Sequence, residues 1–225
     1  MPDREPCTCG CVNTFTTKAA EDDLRSYRQD GAGAATQSLI DAIRAEGIEG
    51  ASLLDVGGGI GAIQLELLGA GLATAVSVDA SEGYVSIARS EAARRGFADR
   101  TSHRLGTLAD LADEVGPADI VTLDKVVCCN ADLPLLLGDV VLRARRIVGL
   151  VYPRDRWWNA IGAAVLATWG WLTRDSTRWY LHSEAEVDGI LKSAGFERRD
   201  VDRTLIWQVA LYVRPDAQVS GSTSS

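Results

Sequence analysis

The sequence has little positive charge. Its 225 residues include 23 Lys and Arg against 31 Asp and Glu, so the formal net charge at pH 7 is −8. A protein that binds nucleic acid through the phosphates needs a basic surface. We therefore expect a small-molecule partner and no nucleic acid.

Long apolar runs are also absent from the sequence. No run reaches the roughly 20 residues that a membrane-spanning helix needs, and the first ten residues lack the apolar core of a secretory signal. The five cysteines are an odd number, which favours reduced thiols over a disulfide framework. These observations predict a cytoplasmic protein without a membrane span, and they leave its oligomeric state open.

The cysteines fall into two groups, and only two histidines accompany them. Cys7, Cys9 and Cys11 lie within five residues and suit a soft ion such as zinc or copper(I), but no fourth ligand is nearby. Incidental thiols in a loose leader, or a lid over the active site, are the alternatives. The adjacent Cys128 and Cys129 are better explained as small buried side chains. We expect no metal, and the binding capacity of the first group stays open.

A glycine-rich turn is the most informative feature that the sequence does contain. An apolar run ends in Asp55-Val56, and glycines follow at positions 57, 58, 59 and 61 before a helical pattern begins at Ala62. This order predicts a parallel strand that turns sharply into a helix, with its backbone open to a nucleotide-like ligand. The spacing of Gly57, Gly59 and Ala62 also satisfies a loose dinucleotide fingerprint, which leaves a nicotinamide cofactor as an alternative.

Acidic residues around this turn favour a different ligand. Asp55 lies two residues before the first glycine, where a pyrophosphate would gain nothing from a negative charge. The next predicted strand ends in Asp79, which is suited to binding both hydroxyls of a ribose. Together with the third alternating glycine, Gly61, this pattern resembles the class I S-adenosylmethionine-dependent methyltransferases.

The resemblance implies the cofactor S-adenosylmethionine and a set of contacts. Asp55 would orient the ammonium group, Gly57 and Gly59 would lie against the amino-acid part, and Asp79 would bind the ribose. The same predicted surface includes Gly58, Gly61 and Ala80. More loosely, the core from 53 to 152 and the segment after it resemble the branch containing magnesium-protoporphyrin methyltransferases, which methylate a carboxylate on a large flat ring.

Two loops after later strands complete the cofactor site that the resemblance implies. Thr107 and Leu108 follow the third predicted strand, and many relatives carry Asp where this sequence has Thr107. A neutral threonine is a weaker acceptor for the adenine amino group. Asp124 directly follows the fourth predicted strand, where the cofactor and substrate pockets of such enzymes meet. A turn-capping role for Asp124, with Lys125 facing solvent, is the alternative.

The periodicity of the chain predicts an α/β fold. Apolar strands alternate with amphipathic helices, and the predicted strands are 52–56, 75–78, 101–105, 120–123, 147–152, 196–201 and 205–213. The last two predicted strands are expected to form an antiparallel pair. The expected architecture is a doubly wound, seven-stranded, Rossmann-like methyltransferase sheet, mostly parallel, with a closing antiparallel pair that would be unexpected in a dinucleotide dehydrogenase.

The sequence also predicts how the chain is divided into segments. Residues 1–18 form a flexible Cys-containing leader, 19–215 a single methyltransferase domain that begins with helices over 19–47, and 216–225 a disordered tail. Within the domain, 153–182 is predicted to be an inserted cap because it contains five of the six tryptophans.

This cap carries the prediction of substrate class. Tryptophans offer large flat apolar area, so Trp157, Trp158 and the nearby Tyr152 are expected to bind an apolar or aromatic small molecule. A dimer interface, a covered sheet edge or a shallow membrane contact are alternatives. A nucleophile that must lose a proton would need a base, and His182 and Asp124 are the candidates; a carboxylate substrate would need none.

Two other functions stay open at this level. A non-catalytic cofactor-binding or scaffold protein is compatible with Thr107 in place of the usual acid, although Asp55 and Asp79 favour a working pocket. An NAD-dependent oxidoreductase is the less favoured third class.

Overall fold

The computed structural model describes residues 15–157, 159 and 180–215. The first fourteen residues with Cys7, Cys9 and Cys11, most of the predicted cap with Trp158, and the predicted tail lie outside the described residues. Within these residues, no helix is both long and apolar enough to cross a membrane.

Seven strands form one sheet in the order β3-β2-β1-β4-β5-β7-β6. Their bounds are β1 Ser52–Val56, β2 Thr74–Asp79, β3 Thr101–Leu105, β4 Ala118–Asp124, β5 Ala144–Pro153, β6 Glu197–Arg203 and β7 Trp207–Val213. Strands β1 to β5 pair in parallel, and β7 pairs antiparallel with both β5 and β6. The predicted fold class, with its closing antiparallel pair, is confirmed.

Six described helices accompany the sheet. Their bounds are α1 Thr17–Asp30, α2 Ala34–Ala45, α3 Ala62–Gly69, α4 Glu82–Arg94, α5 Leu133–Arg143 and α6 Glu184–Ser193. Ser81, Asp132 and Ser183 cap α4, α5 and α6 by accepting hydrogen bonds from backbone N–H groups of the first turn, which the helix would otherwise leave unpaired. Helix α1 begins two residues before the predicted helical segment.

The side chains of β4 alternate between two cores, as expected for a sheet that is covered on both faces. Val121 and Leu123 lie in the core that contains residues of α5 and α6. Ile120 lies in the core on the other face, with residues of α2 and α3. From Ile120 onward, after an irregularity between Ala118 and Ile120, the even-numbered residues of β4 therefore point to the α2 side, and this orientation continues to Asp124 at the end of the strand.

Helix α2 approaches the sheet at a residue without a side chain. A Cβ atom on Gly149 of β5 would lie 2.8 Å from Cδ1 of Leu39 and 3.3 Å from Cδ1 of Ile43. Both α2 side chains are fully buried. Gly149 is thus the position that lets α2 lie close to the centre of the sheet.

Helix α1 is held on α4 by polar contacts around Glu91. This buried carboxylate accepts hydrogen bonds from Arg28 of α1 and from Arg94 and Arg95. Near the other end of α4, Tyr84 donates to Asp23 at 2.5 Å. Because three arginines surround one carboxylate, the pKa of Glu91 is lowered to about 2.

A valine at position 149 would place two methyl groups against Leu39 and Ile43. We expect Gly149→Val to lower the free energy of unfolding by about 1–3 kcal/mol, the usual cost of overpacking a core, as measured by urea denaturation. Gly138→Ala is the matched control, since a Cβ there meets nothing within 4 Å and alanine in a helix adds up to about 1 kcal/mol. A Gly149→Val protein as stable as wild type would show that the close contact of α2 with Gly149 does not determine the position of the helix.

Candidate active site

The carboxyl ends of β1, β2 and β4 bring three acidic residues to one edge of the sheet. Val56 pairs with Val78 of β2 and with Leu123 of β4. Asp79 and Asp124 each follow one of these partners, and Asp55 precedes Val56. The sequence separation of these residues is large, and the parallel register makes them neighbours.

The glycine turn begins directly after β1 and has left-handed backbone conformations at its alternating glycines. The φ angles are 64° at Gly57, 54° at Gly59 and 87° at Gly61, a region that side-chain-bearing residues seldom adopt. The Gly57 N–H donates to the Val78 carbonyl at 2.7 Å, and the Gly61 N–H donates to the Gly58 carbonyl at 2.9 Å. These bonds fix the turn in front of α3.

The surroundings of the turn differ from one glycine to the next. A Cβ on Gly57 would overlap Cγ2 of Val126, and a Cβ on Gly58 would lie 2.6 Å from Oγ of Ser77. At Gly59 a Cβ would meet only the ring of Tyr84, at 3.7 Å. The protein therefore packs closely against the first two glycines and leaves room at the third.

Asp55 is buried at the centre of this edge. Its Oδ1 accepts a hydrogen bond from the Thr122 hydroxyl at 2.7 Å, and its Oδ2 lies 3.5 Å from Nε2 of Gln64. Only 1% of the residue is exposed. Burial raises the pKa of Asp55 to about 7, and the negative charges of Asp124 and Asp79 add to the effect, against the two hydrogen bonds. A positive charge beside this carboxyl would favour its ionised form.

Asp79 is held by backbone groups on both oxygens. Its Oδ2 accepts from the Gly59 N–H at 3.0 Å and its Oδ1 from the Ser81 N–H at 2.8 Å. Burial raises its pKa, although these two bonds favour the ionised form. A carboxylate has about four lone-pair positions, so two acceptor positions remain for a ligand. Ala80, the next residue, is exposed.

Asp124 receives one hydrogen bond from outside the sheet. Its Oδ2 accepts from the Thr36 hydroxyl of α2 at 2.6 Å, and its Oδ1 lies 3.7 Å from Nζ of Lys125. No hydrogen-bond donor contacts this buried Oδ1 within the described part of the chain. Lys125 has a φ of 61°, and its ammonium lies 5.7 Å from the centre of the Trp207 ring. The lysine ammonium thus lies near both the Asp124 carboxylate and the Trp207 ring.

Thr107 and Leu108 are arranged differently from one another. The Thr107 hydroxyl donates to Asp110 at 2.6 Å, and the Thr107 N–H donates to the same carboxylate at 3.1 Å. The Leu108 side chain is buried in the core on the α5 face. Leu108 as a whole is only 3% exposed. The Thr107 hydroxyl also accepts from the Asp110 N–H at 3.2 Å, so one acceptor position of this hydroxyl remains.

His182 is connected to the loop after β4. Its Nε2 lies 2.8 Å from the carbonyl oxygen of Asn130, so a proton on Nε2 is donated to that carbonyl and Nδ1 becomes the acceptor of the neutral ring. The ring stacks with Tyr180 at 6.5 Å, and the Tyr180 N–H donates to the Cys128 carbonyl at 2.8 Å. The last residues of the predicted cap are thereby fixed beside the edge that carries Asp124.

Of the predicted substrate residues, two are described. Trp157 is 70% exposed at the start of the predicted cap, whereas Tyr152 is 1% exposed. Tyr152 lies in the core under α5 and α6, because alternation along β5 points it away from the face that carries Asp124. Contact between Tyr152 and a substrate would require that core to open.

Of the two cysteines predicted to be buried, Cys128 is buried, at 2% exposure, whereas Cys129 is partly exposed. The Cys128 thiol donates to the Lys125 carbonyl at 3.3 Å, and that of Cys129 contacts the same oxygen at 3.7 Å. In the described ranges, no group of three or more metal-ligating side chains is present.

A groove of about 420 Å³ lies at the carboxyl ends of α2, α3 and α4, on the opposite edge of the sheet.

Three polar residues of this edge were missed by sequence reasoning. Thr122 and Gln64 contact Asp55, and Thr36 contacts Asp124. Thr122 could have been found, since it lies two residues before Asp124 and therefore on the same face of β4. Thr36 gives no signal in the sequence, because its partner is 88 residues away.

The buried carboxyl of Asp55 should cost stability when it ionises. Between the ordinary pKa of 3.8 and about 7, the folded protein holds a proton that the unfolded chain has lost, so stability falls as pH rises through this window. We expect Asp55→Asn to gain stability over wild type between about pH 5 and about pH 8, by more than about 1.4 kcal/mol, the equivalent of one pKa unit.

The measurement is urea denaturation of both proteins at the two pH values. Asp41→Asn is the control, because Asp41 lies on the exposed face of α2 and should respond little to pH. An Asp55→Asn protein that is destabilised equally at both values would mean that the carboxyl is ionised and well paired throughout.

Comparison with known proteins agrees with this geometry. Residues 54–143 match the family described as "Methyltransferase domain". Magnesium protoporphyrin IX methyltransferase from Synechocystis PCC 6803, with bound SAH, has a similar structure: the TM-score is 0.70 at 20% identity, over 92% of this chain and 99% of that one.

Two further solved structures share the fold. An O-methyltransferase family protein from Burkholderia thailandensis has a TM-score of 0.64 at 18% identity, over 93% of this chain and 64% of that one. The pyocyanin biosynthetic protein PhzM has a TM-score of 0.59 at 21% identity, over 90% and 61%. No curated protein matches the sequence.

The matched residues include the glycine turn, Asp79 and Asp124, and the sheet around them has the strand order and closing antiparallel pair described above. Residues 54–143 therefore match a methyltransferase domain, and the sheet that contains them has the Rossmann-like fold of solved S-adenosylmethionine-dependent methyltransferases.

Proposed function

We propose that the protein transfers the methyl group of S-adenosylmethionine to a small apolar or aromatic molecule at the edge formed by β1, β2 and β4. The observation that carries the proposal is the buried acidic group beside an open glycine turn. Asp55, Asp79 and Asp124 are close enough for the latter two to raise the pKa of Asp55. Such a concentration of negative charge is costly unless a cation compensates it.

The cofactor supplies that cation through its ammonium group. In the proposed arrangement Asp55 and Asp124 bind the ammonium, and Gly57, Gly58, Gly59 and Gly61 lie against the amino-acid part. The two unused acceptor positions of Asp79 receive the ribose hydroxyls, with Ala80 beside them. The space at Gly59, bordered by the ring of Tyr84, fits a ligand that lies against the backbone.

The adenine end of the proposed site depends on Thr107. Its hydroxyl already donates to Asp110, so it approaches the base as an acceptor only, with the backbone of Leu108 next to it. A neutral hydroxyl accepts a hydrogen bond less strongly than a carboxylate. Backbone and apolar contacts are therefore expected to contribute more to adenine binding than in relatives with an acid at this position.

S-adenosylmethionine provides an electrophilic methyl carbon bonded to a positively charged sulfur, which a nucleophile attacks in line. The contribution of the protein is to align the acceptor, exclude water and remove a proton where one must be lost. His182 is suited to the last task, because the Asn130 carbonyl holds Nε2 and leaves Nδ1 as the proton acceptor. Asp124 is the alternative base, since its Oδ1 has no donor within the described residues.

The substrate class is inferred from the exposed aromatic surface near this edge. Trp157 is largely exposed where the predicted cap begins, and Trp207 lies under the Lys125 ammonium. Trp158 is assigned to the same surface from the sequence alone. Large flat side chains of this kind suit an aromatic acceptor. The similar fold of a protoporphyrin methyltransferase supports an acceptor of this general type.

Cofactor binding is tested by isothermal titration with S-adenosylmethionine, S-adenosylhomocysteine and, as a control ligand, NAD. We expect Asp55→Ala and Asp79→Ala each to weaken binding of both sulfur compounds by about tenfold or more, or about 1.4 kcal/mol, because each removes a charged acceptor.

Asp119→Asn is the matched control. Asp119 is equally buried, at the start of β4, and accepts hydrogen bonds from Ser52; the change should lower stability and leave affinity intact. Folded wild-type protein that binds neither sulfur compound would refute the proposed function, and binding of NAD alone would favour an oxidoreductase.

The role of His182 is tested by His182→Gln, which can still donate a hydrogen bond to the Asn130 carbonyl. With a phenol or amine acceptor we expect kcat to fall by about 100-fold or more, a typical contribution of a general base, while the affinity for S-adenosylhomocysteine stays the same. Methyl transfer to candidate phenols, amines and carboxylic acids is followed with methyl-labelled cofactor. Unchanged kcat would exclude His182 as the base and favour a carboxylate acceptor or Asp124.

A further inference from the structure

Thr36 and Asp124 form a contact between α2 and the site that the family match does not include. The matched residues begin at 54, whereas α2 covers Ala34–Ala45. The Thr36 hydroxyl donates to Asp124 Oδ2 at 2.6 Å. We propose that Thr36 is a positioning residue, which holds the Asp124 carboxylate in one orientation so that Oδ1 is directed to the ammonium group of the cofactor.

The hydrogen bond from Thr36 gives the two carboxylate oxygens of Asp124 different environments. Oδ2 is occupied by a donor that is itself only 6% exposed. Oδ1 is buried, lies 3.7 Å from the Lys125 ammonium, and has no hydrogen-bond donor within the described residues. A buried carboxylate oxygen without a donor is unfavourable, so an incoming N–H donor would be bound more strongly there than at a solvated site.

The orientation of Asp124 also depends on where α2 lies. Leu39 follows Thr36 by three residues, which places both on one face of the helix, and Leu39 is the side chain packed over Gly149. Helix α2 is therefore fixed against β5 at one turn and bonded to Asp124 at the previous turn. The first turn of α2, with its partial positive charge, faces a carboxylate.

The position of Asp124 relative to the other acids indicates which part of the cofactor it binds. The negative charge of Asp124 raises the pKa of Asp55, and Val126, two residues after Asp124, packs against Gly57. Asp124 thus borders the amino-acid end of the proposed site. The adenosine end is near Asp79 and Thr107, which belong to β2 and the loop after β3.

Because of this location, Thr36 should affect the binding of ligands that have an amino-acid part and not of ligands that lack one. S-adenosylhomocysteine has the ammonium group, whereas 5′-methylthioadenosine has the adenosine and the sulfur but no amino-acid part. If Thr36 acts by orienting Asp124, its loss weakens the first ligand and spares the second. A general loosening of the fold would weaken both.

The experiment compares Thr36→Val, Thr36→Ser and Ser38→Ala by titration with the two ligands. Valine has the shape of threonine without the hydroxyl, and serine keeps the hydroxyl. Ser38 is the matched control, because it also donates from α2 to a strand carboxylate, Asp202, at 2.7 Å, on an exposed surface. Urea denaturation of each variant confirms that the protein tested is folded.

We expect Thr36→Val to weaken S-adenosylhomocysteine binding by about tenfold, the size of a hydrogen bond to a charged group, and to leave 5′-methylthioadenosine binding unchanged. Thr36→Ser and Ser38→Ala should bind both ligands as wild type does. In an Asp124→Asn background, which itself binds S-adenosylhomocysteine more weakly, Thr36→Val should add no further loss.

The inference rests on the proposed function, and the two fail differently. Wild-type protein that does not bind S-adenosylhomocysteine refutes the cofactor site and the role of Thr36 together. Wild-type protein that binds it, with Thr36→Val indistinguishable from Ser38→Ala or equally weakened for both ligands, refutes the role of Thr36 alone.

Discussion

A carboxyl group buried at the end of the central strand constrains the rest of this structure. Asp55 follows the most buried part of β1 and is shielded from water by the glycine turn, Thr122 and Gln64. An ionised carboxylate in such a place is destabilising unless it is compensated, and its pKa is raised accordingly. Gly57 and Gly58 of the turn pack closely against Val126 and Ser77. Ionisation of Asp55 is therefore unfavourable in the fold itself, which is the basis of the proposed cation site.

Helix α2 has two functions in this arrangement. Its apolar side chains cover one face of the sheet, including Gly149, and its first turn delivers the Thr36 hydroxyl to Asp124. The parallel core supplies Asp55, Asp79 and Asp124 but no donor for the last of these within the described residues. An element that precedes the family-matched residues therefore completes the polar structure of the site. Helix α2 thus covers the core and also supplies the hydrogen bond to Asp124.

Much of the fold could be predicted because its signals are local. Alternating glycines permit the left-handed backbone that the turn adopts at positions 57, 59 and 61. Short apolar runs and capping residues such as Ser81 and Ser183 define strands and helices over a few residues. The prediction that Tyr152 faces a substrate also depended on a local signal, the position of Tyr152 next to the predicted cap. The residue is instead buried on the opposite face of the sheet, since neighbouring residues of a strand point in opposite directions.

The sequence by itself determined the strand-turn-helix with its acidic residues, the alternation of strands and helices, and hence the class of cofactor, because each depends on backbone conformation and on residues close together in the chain. Only the tertiary structure decided how the acidic residues are used. It places Asp79 against the Gly59 N–H, joins Asp124 to a helix 88 residues earlier, and holds His182 on the Asn130 carbonyl. These contacts depend on strand register and on which face each helix covers, and no short segment of the chain specifies either.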